Sequence, residues 1–284
     1  MHQGHHKIID RLNSAAQEIG GQSTLFTFAL HPRIVLHPND HGLELLNTQA
    51  EKFEHLEKAG LQNLIIHPFT RDFSRLSATE YVRDILVQKI GVSKLIVGYD
   101  HHFGRNREGD FKQLIEFADL YQFLLEEIPA HEVEDCQVSS TKIRLALSEG
   151  KVDHAAKLLG YAYELSGKIV KGEQLGREIG FPTANIEVEY TNKLVPSNGV
   201  YAVRVNVLGQ QARGMMNIGV KPTVSSLKQK TLEVHIFDWQ QDIYGAEMKL
   251  EFIDHIREEI KFDSKEQLIE RLHQDRVEAE SILA

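Results

Sequence analysis

Two stretches of this 284-residue chain carry side chains that can act on phosphates. The first is GREIGFPTANI, residues 176–186. Gly176 and Gly180 give backbone that can approach a phosphate closely. Pro182 stiffens the chain just before Thr183. The Thr183 hydroxyl and the Asn185 amide carbonyl are hard oxygen donors, the kind that suits Mg²⁺. On chemistry alone the segment reads equally well as a glycine–proline turn between two strands. The second stretch is MHQGHH, which sets His2, His5 and His6 within the first six residues. It can be a tag remnant, a small metal site or the end of a catalytic loop. No cysteine cluster or second histidine pair stands at zinc-ligand spacing, so a structural zinc site is not expected.

The elements that must position these residues fall into two patterns. Through residue 160, short apolar runs alternate with helical ones. STLFTFALHP (23–32), LIIHPF (64–69), KLIVG (94–98) and FLLEEI (123–128) read as strands. LELLNTQAEKFEHLEKAG (43–60), SATEYVRDILVQKIG with its Ser77–Glu80 capping box, and FKQLIEFADLY (111–121) read as helices. Apolar strands separated by helices imply a parallel sheet covered on both faces. Two more helical patterns end near Gly150 and Gly160. From about 163 the runs ELSGKIVKG, VYAVRVNVLG, ARGMMNIGV, LEVHIFDW and EMKLEFIDHI follow one another with turn residues between them. They predict a small antiparallel barrel, closed off by a helix over 264–283. The expected domains are therefore 1–160, α/β, and 163–284, all-β with a terminal helix.

Composition narrows the function. The net charge is −9, and no basic stripe or aromatic platform is visible, which argues against nucleic acid as a partner. Hydrophobic residues at 42% and charged residues at 26% suit a globular protein. The single cysteine, Cys136, permits no internal disulfide. No apolar run approaches a membrane span, and no signal-peptide pattern opens the chain. A cytoplasmic protein acting on small molecules is expected. The oligomeric state is left open.

GFPTAN resembles the signature of the riboflavin kinase family. SGKIVKGEQLGREIGFPTANI, NGVYAV, MNIGVKPT, LEVHIFDWQQDIYG and IREEIKF follow in that family's order over about 163–280. The resemblance implies that Thr183 and Asn185 contact the nucleotide phosphates and Mg²⁺, within an ATP-binding loop that includes Gly172, Arg177 and Gly180. It implies that Glu233 is the general base. Bottom-up, Leu232 and Val234 point to the opposite strand face, so Glu233 faces either water or the barrel mouth, and His235 shares its face. Arg257 and Phe262 fall in the segment resembling the family's flavin-side flap.

Bacterial riboflavin kinases are usually fused behind an FMN adenylyltransferase domain, a Rossmann-like nucleotidylyltransferase with an HxGH motif. His2-Gln3-Gly4-His5 resembles that motif. Two histidines on the first helical turn can donate hydrogen bonds to a triphosphate as charge builds on departing pyrophosphate, with Gly4 removing side-chain bulk. TFALHP and VGYDHHFGRNREGD resemble further segments of that domain, the latter implying Asp100 and Phe103 near the flavin. VSSTKIR resembles ISSTxIR, implying phosphate contacts from Ser140, Thr141 and Arg144; a simple helix cap at Ser139 or Ser140 is the plainer reading. His101 and His102 can equally be surface residues. The family carries a strand and a glycine loop ahead of HxGH, whereas this chain opens inside that loop. Either the start was misassigned, which the otherwise intact motifs favour, or the adenylylation site is damaged. The resemblance implies ATP and Mg²⁺, with riboflavin, FMN and FAD as substrates and products. The alternatives are a monofunctional riboflavin kinase with an inactive N-terminal domain, and a non-catalytic flavin- or nucleotide-binding regulator.

Overall fold

The computed structural model describes residues 1–38, 42–129, 138–172, 174–220 and 230–284. Cys136 and the KPT end of MNIGVKPT lie outside them. Two compact units result: Met1–Glu44 with Thr48–Val138, and Leu45–Asn47 with Ser139–Ala284.

The first unit is built from parallel strand pairs and their crossover helices. Thr24–Phe28 (β1) pairs with Asn63–His67 (β2), and Lys94–Gly98 (β3) pairs with Leu124–Ile128 (β4). The described strands form two separate two-stranded sheets, and no described strand bonds to both β1 and β3. A cleft of about 580 Å³ borders both strands, walled by Ile9, Leu12, Phe26, Leu86 and Ile96 among others.

Gln3–Glu18 (α1) buries Ile9, Ala15 and Ala16. It is held to β4 by Arg11, which grips the Glu126 carboxylate through Nε at 2.5 Å and a terminal nitrogen at 2.7 Å. Lys94 of β3 reaches the same carboxylate at 2.6 Å. Asn13 Nδ2 donates to the Ala59 carbonyl at 2.9 Å. Pro32–Leu36 (α2) follows β1. The pattern over 43–60 yields a shorter helix than expected, Gln49–Lys58 (α3), because Thr48 and Glu51 form a reciprocal capping box that starts it there. Leu45 and Leu46 belong to the second unit instead. The Ser77–Glu80 box is present as expected and opens Ala78–Glu80. That turn runs on as a π-helical stretch, Tyr81–Ile90, to Gly91 at φ +71°; together they make α4. Phe111–Tyr121 (α5) completes the unit. Val82, Leu86, Val97, Phe103 and Leu114 share its core with Phe123.

In the second unit, Ser140–Ser148 (α6) and Val152–Leu159 (α7) precede the barrel. The strand pattern begins near 163 as expected, but the compact unit reaches back to Ser139. The reason is that Ile143, Leu147, Val152 and Leu159 are fully buried and α7 lies against barrel strands. The barrel strands are Tyr163–Val170 (β5), Ala184–Glu187 (β6), Gly199–Val207 (β7), Gln210–Val220 (β8), Lys230–Ile236 (β9) and Glu247–Arg257 (β10), with Leu175–Glu178 (α8) a short helix inside the glycine loop. They close in the order β10-β5-β6-β9-β8-β7. Leu165, Val203, Met216, Ile218, Val234 and Leu250 fill the interior. Each is worth roughly 1.5–3 kcal/mol of burial. Leu45 N–H donates to the Asn192 carbonyl at 2.6 Å, and Lys193 Nζ to Leu46 O at 2.8 Å.

Lys265–Ile282 (α9) covers the outer face of the barrel, setting Ala279 and Leu283 against Phe181, Val200, Met215 and Phe237. Its anchor is Asp275, fully buried, which takes Arg257 in a fork (2.7–3.0 Å) and Arg271 at 2.8 Å. Removing the shared carboxylate leaves two guanidinium groups without their partner, so Asp275→Ala should lower barrel stability by about 3–5 kcal/mol. Trp239, the only tryptophan, reports unfolding of this unit in urea. A midpoint unchanged from the parent would show that the clamp contributes nothing.

Candidate active sites

Barrel register decides what meets in the second unit. Asn185 on β6 stands opposite Glu233 on β9, and Glu233 opposite Asn217 on β8. Each lies between buried neighbours: Ala184 and Ile186, Leu232 and Val234, Met216 and Ile218. The three therefore form one polar row on the outer barrel surface. Thr183, just ahead of β6, turns its hydroxyl to Glu233 Oε2 at 3.3 Å. The sequence expectations for Thr183, Asn185 and Glu233 thus converge on one spot. Asn217, across the row, was missed; its only signal was its place in MNIGVKPT.

Two further contacts hold this turn. His235 Nδ1–H donates to the Pro182 carbonyl at 2.9 Å, which fixes the tautomer. Burial holds this imidazole below its usual pKa, and it sits between Phe181 and Phe237. His235 is thus a support for the turn that carries Thr183. Gly172 lies directly beneath Asn185: a Cβ there would fall 2.0 Å from Asn185 Nδ2. Gly176 is equally constrained by the Phe181 carbonyl, and Gly180 holds φ +83°. Beside the turn lies a cleft of about 420 Å³, bordered by Arg177, Thr183, Trp239 and Tyr244. Arg177 is exposed, with one guanidinium nitrogen 3.5 Å from Tyr244 Oη. Arg257 and Phe262, expected on the flavin side, lie together, the guanidinium 5.8 Å from the ring centre. Arg257 is also the partner of Asp275. Asn198 Nδ2 donates to Glu259 at 2.9 Å nearby in sequence.

In the first unit His2 is the N-cap of α1, with Gly4 buried behind it. The His2 and His5 rings lie 3.9 Å apart. His2 makes no side-chain capping bond, and no acidic residue occupies the first turn, so the positive end of the helix is not neutralised from within. Burial pushes His2 down to about 4. The protein atoms packed around His5, with the neighbouring His2, push it down to about 3, although the residue as a whole is exposed. Both are neutral at physiological pH, each able to donate one ring N–H.

Further groups here escaped the sequence reading. Lys52 of α3 donates from Nζ to Thr27 Oγ1 at 2.6 Å and lies near enough to His5 to depress it. Phe28 meets Phe69 at 4.8 Å and Phe73 at 5.3 Å, and Phe26 faces Tyr81 at 6.3 Å. These rings gather where β1 and β2 end, the edge of a parallel sheet where ligands bind. They come from strands and loops, so no local pattern announces them. Asp100 is exposed after β3, whereas Phe103 is 6% exposed and packed in the core over Gly109. His101 and His102 are exposed. Ser139 caps α6 by accepting from Lys142 N–H at 3.2 Å; Ser140, Thr141 and Arg144 stand on that helix, in the second unit.

The riboflavin kinase family model matches residues 159–283, and the FAD synthetase family model matches residues 1–142. The chain is 34% identical to the bifunctional riboflavin kinase/FMN adenylyltransferase of Listeria monocytogenes over 100% of its own length and 90% of the relative's. The enzyme of that name from Pseudomonas fluorescens is 35% identical over 100% and 90%, and that of Escherichia coli K12 33% over 98% and 88%. A crystal structure described as a macrolide-efflux protein from Streptococcus pneumoniae superposes with a TM-score of 0.87 at 31% identity, covering 97% of this chain and 88% of that one. Among the described residues no helix is long and apolar enough to cross a membrane.

The depressed histidines carry a consequence for pH. The unfolded chain binds protons at these rings near pH 6.5, and the folded chain does not until about 4 and about 3. The unfolded state therefore gains protons first as pH falls, and the α1 N-terminus loses stability below 6.5. Ring-proton NMR should give titration midpoints for His2 and His5 below 5. Midpoints near 6.5 would contradict the packing described.

Proposed function

Because this chain belongs to the family of bifunctional riboflavin kinases/FMN adenylyltransferases, we propose that its barrel unit converts riboflavin and ATP to FMN and ADP at Glu233, and that its first unit converts FMN and ATP to FAD and pyrophosphate at His2 and His5. In the first reaction the ribityl 5′-oxygen forms a bond to the γ-phosphorus. The bond from that phosphorus to the β,γ-bridging oxygen breaks, and ADP leaves with the electron pair. The hydroxyl proton goes to the Glu233 carboxylate. The observation that carries this reading is the row Asn185–Glu233 with Thr183 at 3.3 Å, which sets a proton acceptor beside phosphate-binding groups.

The donor set also fits Mg²⁺. Thr183 and Asn185 offer neutral hard oxygens beside one carboxylate, which suits an ion that keeps most of its shell for phosphates and water. Those two residues would hold it, and it would neutralise charge on the phosphates. Gly172 and Gly180 leave backbone open to the nucleotide, and Arg177, Trp239 and Tyr244 border the cleft that accommodates its base. Arg257 and Phe262 remain the proposed flavin side, with Arg257 fixed in place by Asp275.

In the second reaction an FMN phosphate oxygen bonds to the α-phosphorus of ATP, and pyrophosphate departs with the electrons of the broken α,β-bridging bond. Neutral His2 and His5 supply N–H donors fixed in place before the charge develops. The ring cluster around Phe28 and Phe73 offers an apolar wall for an isoalloxazine. Asp100, and Ser140, Thr141 and Arg144 on α6, enter this proposal through the motif matches alone, as does Phe103, which supports the site from the core. A cytoplasmic location belongs to the same proposal, supported by the single cysteine.

Glu233→Gln keeps the shape of the row and removes the proton acceptor. FMN formation should fall by about 10²–10⁴ while riboflavin still binds, as read by quenching of flavin fluorescence. Turnover equal to that of the parent would remove Glu233 from the mechanism.

A further inference from the structure

Lys52 is a half-buried ammonium whose charge no group among the described residues balances. Its Nζ makes one hydrogen bond, to Thr27 Oγ1 at 2.6 Å. Among the described residues no carboxylate pairs with it. Its helix-mate Glu51 is turned away into the capping box with Thr48. An ammonium has three donors, so two remain uncommitted. Burial holds its pKa below the usual lysine value, the cost expected of a charge with no counterion. Other buried or half-buried cations of this unit are paired: Arg11 and Lys94 share Glu126.

Its placement gives that unpaired charge a direction. Thr27 is the fourth residue of β1, at the carboxyl end of a parallel strand, the edge along which α/β sheets take their ligands. His5 is close enough for the ammonium to help hold its imidazole neutral. The first turn of α1 adds an uncapped positive end with no acidic residue. Neutral histidine donors on the first turn of α1 and an unpaired lysine on α3 thus lie near one another, an arrangement that suits an anion.

We infer that Lys52 contacts the triphosphate of the adenylyl donor, balancing the charge that accumulates on pyrophosphate as it leaves. This rests on the adenylyl-transfer reading of the first unit and adds a charged member to its histidine pair. His2 and His5 supply hydrogen bonds but no net charge, and Lys52 supplies the charge. Thr27 is a positioning residue that holds the ammonium toward the histidines.

The test uses the full chain and two readouts. Lys52→Gln retains an N–H donor for Thr27 Oγ1 and removes the charge, and Lys52→Arg restores the charge. Calorimetric titration with inorganic tripolyphosphate measures anion binding without chemistry; any contribution of the barrel site is common to all three proteins. The expected result is at least about a tenfold weaker Kd for Lys52→Gln, with recovery in Lys52→Arg. FAD formation from FMN and ATP should fall about 10²-fold, mostly in kcat, while riboflavin phosphorylation by the same samples stays at the parental rate and confirms an intact barrel. Lys52-dependent tripolyphosphate binding in a protein that makes no FAD would support the contact and sink the adenylyl-transfer reading. Tripolyphosphate affinity within twofold of the parent in Lys52→Gln overturns the inference.

Discussion

The barrel closes through β6. Only four residues long, this strand pairs through Lys168–Val170 of β5 on one side and Glu233–Val234 of β9 on the other. Without it the sheet would be open between β5 and β9. Strand alternation then leaves little freedom: Ala184 and Ile186 must face inward, so Asn185 must face outward, in the same row as Glu233. A slip of one residue would bury the amide and expose the alanine. The ladder bonds that hold the barrel shut therefore also bring Asn185 beside Glu233, the proposed proton acceptor. The glycines around β6 serve the same constraint. Gly172 gives Asn185 the space above it, and Gly176 accommodates the Phe181 carbonyl.

In the proposed reactions the two sites meet phosphate with different physical means. Around Glu233 the groups proposed to face the transferred phosphoryl are neutral oxygens and a carboxylate, which suits a reaction with a cation bound to the nucleotide. In the first unit the groups are nitrogen donors at a helix N-terminus, backed by a lysine. Each arrangement depends on ionic supports elsewhere. α1 is held by the Glu126 bridge to Arg11 and Lys94. The β10–α9 pairing is held by Asp275, whose carboxylate is shared by two arginines.

Much of the barrel site was legible because it is written locally. The Thr183-x-Asn185 spacing and the alternation of Leu232, Glu233 and Val234 are strand properties, and a strand shows its faces in its sequence. The capping box at Ser77–Glu80 was legible for the same reason. What escaped depends on distant partners. Arg257 read as a ligand contact, and its commitment to Asp275 becomes visible only when β10 and α9 come together. Phe103 read as flavin-side from the motif around it; that its ring fills the space Gly109 leaves becomes visible only in the fold. Lys52 sits in a segment that reads as an ordinary solvated helix face; its burial against Thr27 is a tertiary fact. The helix expected over 43–60 was too long at its start because apolar periodicity cannot tell which face packs where, and Leu45 and Leu46 pack with the barrel.

One polypeptide is proposed to carry both activities. Incubating the chain with riboflavin, ATP and Mg²⁺ and separating the flavins by chromatography over time tests this. FMN should appear first and then decline as FAD accumulates. FMN that rises and persists, with no FAD at any ATP concentration, would contradict the two-site account and leave a kinase alone. Riboflavin that is bound but never converted would contradict both halves.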